Sequence, residues 1–179
     1  MARLLHALLL GLIGAGIVHV AVILLLPRLT EKDAWSRLAE AGALYVPIIA
    51  DDADGPRLVE APDPFLRIMA CRFDLADGPL RVTAKGSVPF WSASVYDRAG
   101  DNIYNFSDRT AAGAELDFVV ITPAQMIEMR KELPPELEQA IFVEADVGEG
   151  IVVVRAFEPD SSWKAILQRY MRSMSCATQ

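Results

Sequence analysis

Residues 65–84 read FLRIMACRFDLADGPLRVTA, and the fold class can be inferred by starting from this segment. It contains two runs rich in hydrophobic residues, 65–75 and 80–84, separated by Asp77, Gly78 and Pro79. Runs of this length that are bounded by Asp, Gly and Pro are typical of β-strands joined by tight turns. The segment therefore predicts two neighbouring strands.

The same pattern continues along the chain. Further strands are predicted at 44–50, 90–97, 103–107, 115–121, 141–147 and 151–158. Short strands at this spacing predict a mainly β domain, an antiparallel sandwich or jelly roll rather than a parallel α/β sheet. Short helices are predicted between and beside the strands, at 31–41, 123–133 and 162–174.

An apolar segment precedes this domain. Residues 4–26 read LLHALLLGLIGAGIVHVAVILLL and contain no Asp, Glu, Lys or Arg. A helix of about 20 apolar residues crosses a hydrocarbon core about 30 Å thick. The run is longer than that of a cleavable signal peptide and lacks a small-x-small site at its end. We therefore expect a retained transmembrane anchor at 1–27, closed by Pro27, and a folded domain at 28–179.

The charges that flank the segment leave its orientation ambiguous. Arg3 lies before it, whereas Arg28, Lys32 and Arg37 follow it, a count that favours a cytoplasmic domain. The short N-terminal tail and the cysteine pair favour the opposite orientation, because long domains translocate largely regardless of charge. We predict a single-pass protein of the bacterial inner membrane with its C-terminal domain in the periplasm.

One face of the apolar segment carries small residues and an imidazole: Ala7, Gly11, Ala15 and His19 are four residues apart. Small residues at this spacing let two membrane helices approach closely, and a polar residue among them can hydrogen-bond to the neighbour. This face predicts helix packing with another membrane protein or with a second copy. The alternative is a neutral His19 bonded to its own helix.

The two cysteines, Cys71 and Cys176, are too far apart in sequence for a redox motif. In an oxidising compartment they predict one disulfide, and the alternative is two buried thiols. The chain carries a net charge of −7, which excludes nucleic acid as an expected partner.

The folded domain has no histidine, because both histidines, His6 and His19, lie in or beside the apolar segment. This excludes histidine-based triads and histidine metal sites in that domain. The acidic residues at 51–55 lack the spacing of a calcium loop and predict a solvated turn. We expect no cofactor, no metal and no recognisable catalytic residue, so the sequence favours a protein that is not an enzyme.

The densest polar and aromatic segment is 89–109, predicted as two strands around a turn. One face of the first strand would carry Ser92, Ser94 and Tyr96, and the other Trp91, Ala93 and Val95. A ligand site is one interpretation of the segment, with Arg109 gripping an anionic group. The alternative is ordinary strand pairing. The candidate ligand-binding residues are Trp91, Ser94, Tyr96, Tyr104, Asn105 and Arg109.

This segment, 90–97 with Gly100 and Arg109, resembles the bacterial domain-of-unknown-function family 1254. The similarity extends to residues 33–38, 63–64 and 71–79 and to Cys176. The resemblance implies an all-β, sandwich-like fold in an exported or membrane-anchored protein, and Cys71 and Cys176 would correspond to cysteines of the family. Larger relatives fuse this module to a second β domain, family 1214, and the family transfers no agreed catalytic residues.

From these observations we predict a membrane-anchored periplasmic module that acts as a non-catalytic component of a cell-envelope complex. Its expected partner is another membrane-anchored protein, one similar to family 1214. The alternative is an envelope enzyme or small-ligand binder that uses the segment from Trp91 to Arg109.

Overall fold

The computed structural model describes residues 2–29, 34–50, 63–111 and 115–179. The chain divides into two compact units, Met1–Asp33 and Ala34–Gln179. The first contains one long helix, α1 (Ala2–Leu29). Its segment Ala2–Leu25 has a mean hydropathy of 2.7 and is long and apolar enough to cross a membrane, as a signal sequence or an anchor. Pro27 does not end this helix, since a proline near a helix end removes only one backbone hydrogen bond.

The second unit, which we call the body, is a mixed α/β sandwich of two sheets. Its helices are α2 (Ala34–Ala41), α3 (Pro123–Met129) and α4 (Lys164–Arg172). Its strands are β1 (Ile48–Ile49), β2 (Leu66–Asp74), β3 (Leu80–Ala84), β4 (Trp91–Asp97), β5 (Asn102–Ser107), β6 (Leu116–Ile121), β7 (Ile141–Glu144), β8 (Glu149–Phe157) and β9 (Ser175–Thr178).

The two sheets have the strand orders β1-β2-β8-β4-β5 and β7-β6-β3-β9. Side chains alternate between the two faces of each strand, so one face of each sheet is apolar and meets the other sheet. The largest buried side chains of this core include Trp91, Phe73, Phe118 and Met69. Leu167, Tyr170 and Met171 of α4 pack into the same core.

A disulfide between Cys71 on β2 and Cys176 on β9 joins the five-stranded sheet to the four-stranded sheet. Both cysteines are buried in the core between the sheets. This confirms the predicted pairing. Together with the apolar N-terminal helix, the disulfide indicates an extracytoplasmic location.

Each sheet also carries a helix on its outer face. On the five-stranded sheet, Trp35 and Leu38 of α2 pack against Ile48, Ala70 and Ile151. On the four-stranded sheet, α3 contributes Met126 to a smaller cluster. A capping box between Thr122 and Gln125, with a proline in the first turn, fixes the start of α3.

The structure corrects the antiparallel prediction at one pair, because β6 and β7 are parallel. The connection between them contains α3, and a parallel pair requires such a crossover. The architecture is therefore mixed α/β, whereas the sequence predicted a mainly β class.

Several element boundaries also differ from the predictions. The strand predicted at 44–50 is reduced to Ile48–Ile49, since Tyr45 adopts a left-handed conformation with φ of 62°. Its hydroxyl oxygen lies 2.7 Å from both the Asp74 carbonyl oxygen and Asp77 Oδ2, either of which can accept its proton. The helix predicted at 123–133 ends at Met129.

The C-terminal segment departs further from the prediction. The helix predicted at 162–174 is a 3-10 turn, Ser161–Trp163, followed by α4 and by the unpredicted strand β9. Ile166 of α4 is exposed. The predicted turn at 51–55 and the start of the helix predicted at 31–41 lie outside the described residues.

Candidate functional site

The outer face of β4 carries the polar side chains of the predicted ligand segment. Trp91, Ala93 and Val95 lie in the core, whereas Ser94 and Tyr96 lie on the opposite face, as the period of two predicts. β4 pairs with β8 on one side and with β5 on the other. Residues from all three strands therefore meet around Ser94 and Tyr96.

Arg155 on β8 connects these two side chains. Its Nη1 donates to Ser94 Oγ at 2.9 Å, and its Nη2 donates to Tyr96 Oη at 3.3 Å. The guanidinium is half-buried, and no carboxylate in the described part of the chain lies within ion-pair distance of it. Because a guanidinium carries five N–H donors, several remain available to an incoming acceptor.

The environment changes the acidity of Tyr96. Burial alone would raise the pKa of its phenol, but hydrogen bonds from Arg155, Ser94 and Asn102 and the charge of Arg155 outweigh burial. The net effect lowers the pKa of Tyr96 below 10.0, because these groups stabilise the phenolate. Tyr96 therefore ionises more readily than an ordinary tyrosine.

Two asparagines of β5 complete this patch. Asn105 lies opposite Ser94, and Asn102 lies opposite Tyr96. The two amides bond reciprocally, at 3.0 and 2.6 Å, and both are exposed. We call Ser94, Tyr96, Asn102, Asn105 and Arg155 the outer-face cluster.

The remaining predicted ligand residues do not join the outer-face cluster. Trp91 is buried in the core, edge-on to Phe106 with ring centroids 6.0 Å apart. Tyr104 also contacts Phe106 and lies at the open rim of the core. Arg109 is exposed in the turn after β5. The structure therefore brings together Ser94, Tyr96 and Asn105 and separates the other three.

Sequence reasoning missed Arg155 and Asn102. The signal for Arg155 was a lone arginine in the hydrophobic run 151–157, IVVVRAF, where a charge must reach solvent or a polar partner. No group of three or more His, Cys, Asp or Glu that could hold a metal occurs among the residues that the structure describes. The outer-face cluster can donate and accept hydrogen bonds, but it has no metal-ligand set.

β5 itself is an open edge. It forms one end of the five-stranded sheet and, within the described ranges, pairs only with β4. The side chains of Ile103 and Tyr104 are 38% and 48% exposed. A register shift between Val95 and Tyr96 places one extra residue at the start of β5, after which the pairing is regular.

In α1, the predicted packing face of Ala7, Gly11, Ala15 and His19 is exposed. A Cβ at Gly11 would meet no atom within 4 Å. A second helix would therefore find no side chain in its way at this position, and the role of the face stays a prediction.

Comparison with known protein families assigns the chain to one of them. Residues 66–177 match the family described as "Protein of unknown function (DUF1254)", which is more than half of the chain. The protein belongs to the DUF1254 family. The matched range begins with β2 and contains all residues of the outer-face cluster. No curated protein matches the chain significantly.

Two solved structures are similar to this DUF1254 chain. The VPA0106 protein from Vibrio parahaemolyticus matches with a TM-score of 0.58 and 15% identity, over 81% of this chain and 34% of that chain. A putative uncharacterized protein from Burkholderia cenocepacia matches with a TM-score of 0.46 and 14% identity, over 70% and 34%. The Vibrio protein shares the fold, and this chain spans about a third of its length.

Proposed function

We propose that this DUF1254 protein is a membrane-anchored periplasmic module of the bacterial inner membrane that assembles with a second cell-envelope polypeptide through β5. The proposed role is non-catalytic, as a component of an envelope complex. Support for anchoring comes from α1, whose apolar segment exceeds the length of a signal-peptide core. The disulfide supports the periplasmic placement.

The open edge of β5 is the observation that carries the proposal. Proteins protect sheet edges with charges, prolines, bulges or short strands, because an open edge pairs with other chains. β5 reads NIYNFS, without a charge or a proline, and its bulge affects only the first residues. Among the strands that the structure describes, it is the longest at a sheet edge, since β1 has two residues and β7 and β9 have four each.

The occupant that fits this edge is a β-strand of the second polypeptide. Strand addition takes affinity from backbone hydrogen bonds and specificity from side chains that alternate along the edge. On one face, the added strand would lie beside Asn102 and Asn105, whose exposed amides can donate to a carboxylate or carbonyl oxygen. On the other face, it would cover Ile103 and Tyr104.

The Vibrio structure supports an assembly of this kind. There the fold occupies about a third of a longer chain, so that it occurs together with further polypeptide. We propose that the second polypeptide is a membrane-anchored protein similar to family 1214. The face of Ala7, Gly11, Ala15 and His19 would pack against its helix.

Photocrosslinking in cells tests this proposal. A photoreactive phenylalanine analogue replaces Tyr104 in the full-length protein, and the matched control replaces Ile127, an exposed residue of α3. We expect one discrete crosslinked product from position 104 and none from position 127. The product should be lost when Ile103→Lys adds a charge to the edge.

Equal products from both positions would indicate non-specific contact and refute the docking role of β5. No product from position 104, in a strain where the protein is expressed from its own promoter, would also refute it. If the product survives Ile103→Lys, the partner does not bind by strand addition.

A second candidate function is small-ligand binding at the outer-face cluster, the alternative expected for this segment. The observation that favours it is the lowered pKa of Tyr96 beside an arginine without a carboxylate partner in the described ranges. Under this alternative, Tyr96→Phe would remove ligand binding and leave the crosslinking from position 104 intact.

A further inference from the structure

An open cleft of about 550 Å³ lies between α4 and the residues that follow β3. This volume is within the range of about 300–1,000 Å³ that is typical of small-ligand sites. The residues that line it are Lys85, Gly86, Ser87, Ile166, Arg169, Tyr170 and Ser173. None of them belongs to the outer-face cluster or to β5.

The charged residues of the cleft are both cations. Lys85 and Arg169 are exposed, and no carboxylate of the described ranges lies within ion-pair distance of either. The whole chain has a net charge of −7, and the two cations of the cleft have no ion pair, while one carboxylate oxygen, Glu115 Oε1, accepts from the backbone N–H of the lining residue Gly86 at 3.2 Å. Cations without ion pairs attract an anion.

Tyr170, another residue that lines the cleft, carries a buried hydroxyl donor. Its side chain is 2% exposed, and its hydroxyl has no hydrogen-bond partner among the described residues. Buried polar atoms are nearly always partnered, so this hydroxyl calls for an acceptor; its residue lines the cleft, and the hydroxyl oxygen itself is closed to solvent in the structure. Burial raises the pKa of this phenol, and the charges of Asp108 and Glu115 raise it further. The hydroxyl therefore stays protonated and can donate.

Ser173 holds the two sides of the cleft together. Its Oγ accepts from the backbone N–H of Lys85 at 2.9 Å and donates to the Tyr170 carbonyl at 2.7 Å. This arrangement fixes the start of the lysine side chain relative to α4. Ile166, 37% exposed, supplies an apolar surface beside these donors.

We propose that the cleft binds a phosphate group attached to an apolar substituent, as in an alkyl phosphomonoester or an anionic lipid headgroup. Lys85 and Arg169 donate to the phosphate oxygens, the Tyr170 hydroxyl donates to one of them after a small movement that opens it to the cleft, and Ile166 contacts the substituent. Asp108 and Glu115 oppose the anion but do not line the cleft. We therefore expect a dissociation constant on the order of 1 mM.

The test is a titration of the full-length protein in neutral phosphatidylcholine nanodiscs, followed by the methyl NMR resonance of Ile166. Butyl phosphate should shift this resonance saturably, and inorganic phosphate should bind more weakly because it lacks the substituent. Lys85→Gln with Arg169→Gln should weaken butyl phosphate binding about tenfold or more. The matched control, Lys164→Gln with Arg172→Gln, removes the same charge from α4 outside the cleft and should change affinity less than about twofold.

Tyr170→Phe separates ligand binding from folding. Because the hydroxyl has no partner in the described protein, its removal should leave thermal stability unchanged while weakening butyl phosphate binding about threefold to tenfold. A stability loss with unchanged affinity would refute the role of Tyr170. The whole proposal is refuted by the absence of a saturable shift, or by equal affinities of the two double variants.

Two further arms decide the source and the chemistry of the ligand. Nanodiscs that contain phosphatidic acid should shift the Ile166 resonance without added ester if the phosphate comes from a lipid, and should leave it unchanged if a soluble ester is the ligand. Equal binding of inorganic and butyl phosphate would refute the apolar part of the proposal. Photocrosslinking at Tyr104 does not depend on any of these results, so the two proposals fail separately.

Discussion

Removal of the Cys71–Cys176 disulfide should destabilise the body strongly. The cysteines are 105 residues apart, so the crosslink closes a loop that includes most of both sheets. In the chain-entropy relation, a loop of this size restricts the unfolded state by about 4.8 kcal/mol at 25 °C. Because whole domains are stable by only about 5–15 kcal/mol, this is a large share.

Urea unfolding of the full-length protein in mild detergent measures the effect. All three tryptophans, Trp35, Trp91 and Trp163, lie in the body and report its unfolding by fluorescence. We expect the reduced protein to lose about 3–5 kcal/mol and about 10–20 °C in melting temperature. The reduced protein retains both buried sulfurs, so this comparison isolates the crosslink from side-chain packing.

A second signature distinguishes the proposed cause. If the disulfide acts on the unfolded chain, its reduction should raise the urea m value, because a freer chain exposes more surface. The double variant Cys71→Ala with Cys176→Ala should behave similarly, with a further loss from the missing sulfurs. A loss below about 1 kcal/mol together with an unchanged m value would refute the loop-entropy reasoning.

Three other predictions concern substitutions of single residues. Arg155→Gln should raise the pKa of Tyr96, which ultraviolet titration against Tyr96→Phe would detect; an unchanged pKa would contradict the role given to Arg155. Gly150→Ala should cost about 2 kcal/mol in thermal unfolding, because the new Cβ meets an aromatic ring of β2 and a backbone carbonyl of β4. The control Gly148→Ala, which has open space around it, should cost less than about 0.5 kcal/mol. Folding raises the pKa of Tyr45 from 10.0 to about 12, so the protonated phenol stabilises the folded state fully below pH 10 and this stabilisation is lost as the pH rises to 12. A Tyr45→Phe variant should lack this part of the loss of stability at alkaline pH, as measured by urea unfolding at several pH values.

The strands were predictable where local chemistry determines them. The prediction at 80–84 coincides with β3, because the turn at Gly78, with φ of 134°, and the alternating burial define both ends. β9 was missed, since Ser175–Thr178 is short and only half apolar. It forms by pairing with β3 and through the disulfide, which are long-range interactions.

The parallel pair could have been inferred from the sequence. A strand at 115–121, a helix that begins at Pro123 and a strand at 141–147 follow one another, and this order is typical of a crossover. The surrounding run of short strands led instead to an antiparallel prediction throughout.

The candidate site shows the same division between local and long-range information. The alternation of β4 placed Trp91 and Tyr96 on opposite faces, and the structure confirms this. It could not show that Arg155, 59 residues after Tyr96, would lie beside it, because that contact depends on the pairing of β4 with β8. Whether Arg109 grips an anionic group stays a prediction, and the structure places this residue in the exposed turn after β5.

The central position of β8 has a consequence for how a new chain folds. β8 lies between β2 and β4, so these two strands, which precede it by more than 50 residues, are not paired with each other. Until residues 149–157 have emerged from the ribosome or the translocation channel, β2 lacks its main partner and β4 can pair only with β5. Such a nascent intermediate exposes strand edges and apolar surface that aggregate readily. Chaperone binding during biogenesis should therefore persist until β8 is inserted, and truncation before residue 149 should leave a chain that cannot close its larger sheet.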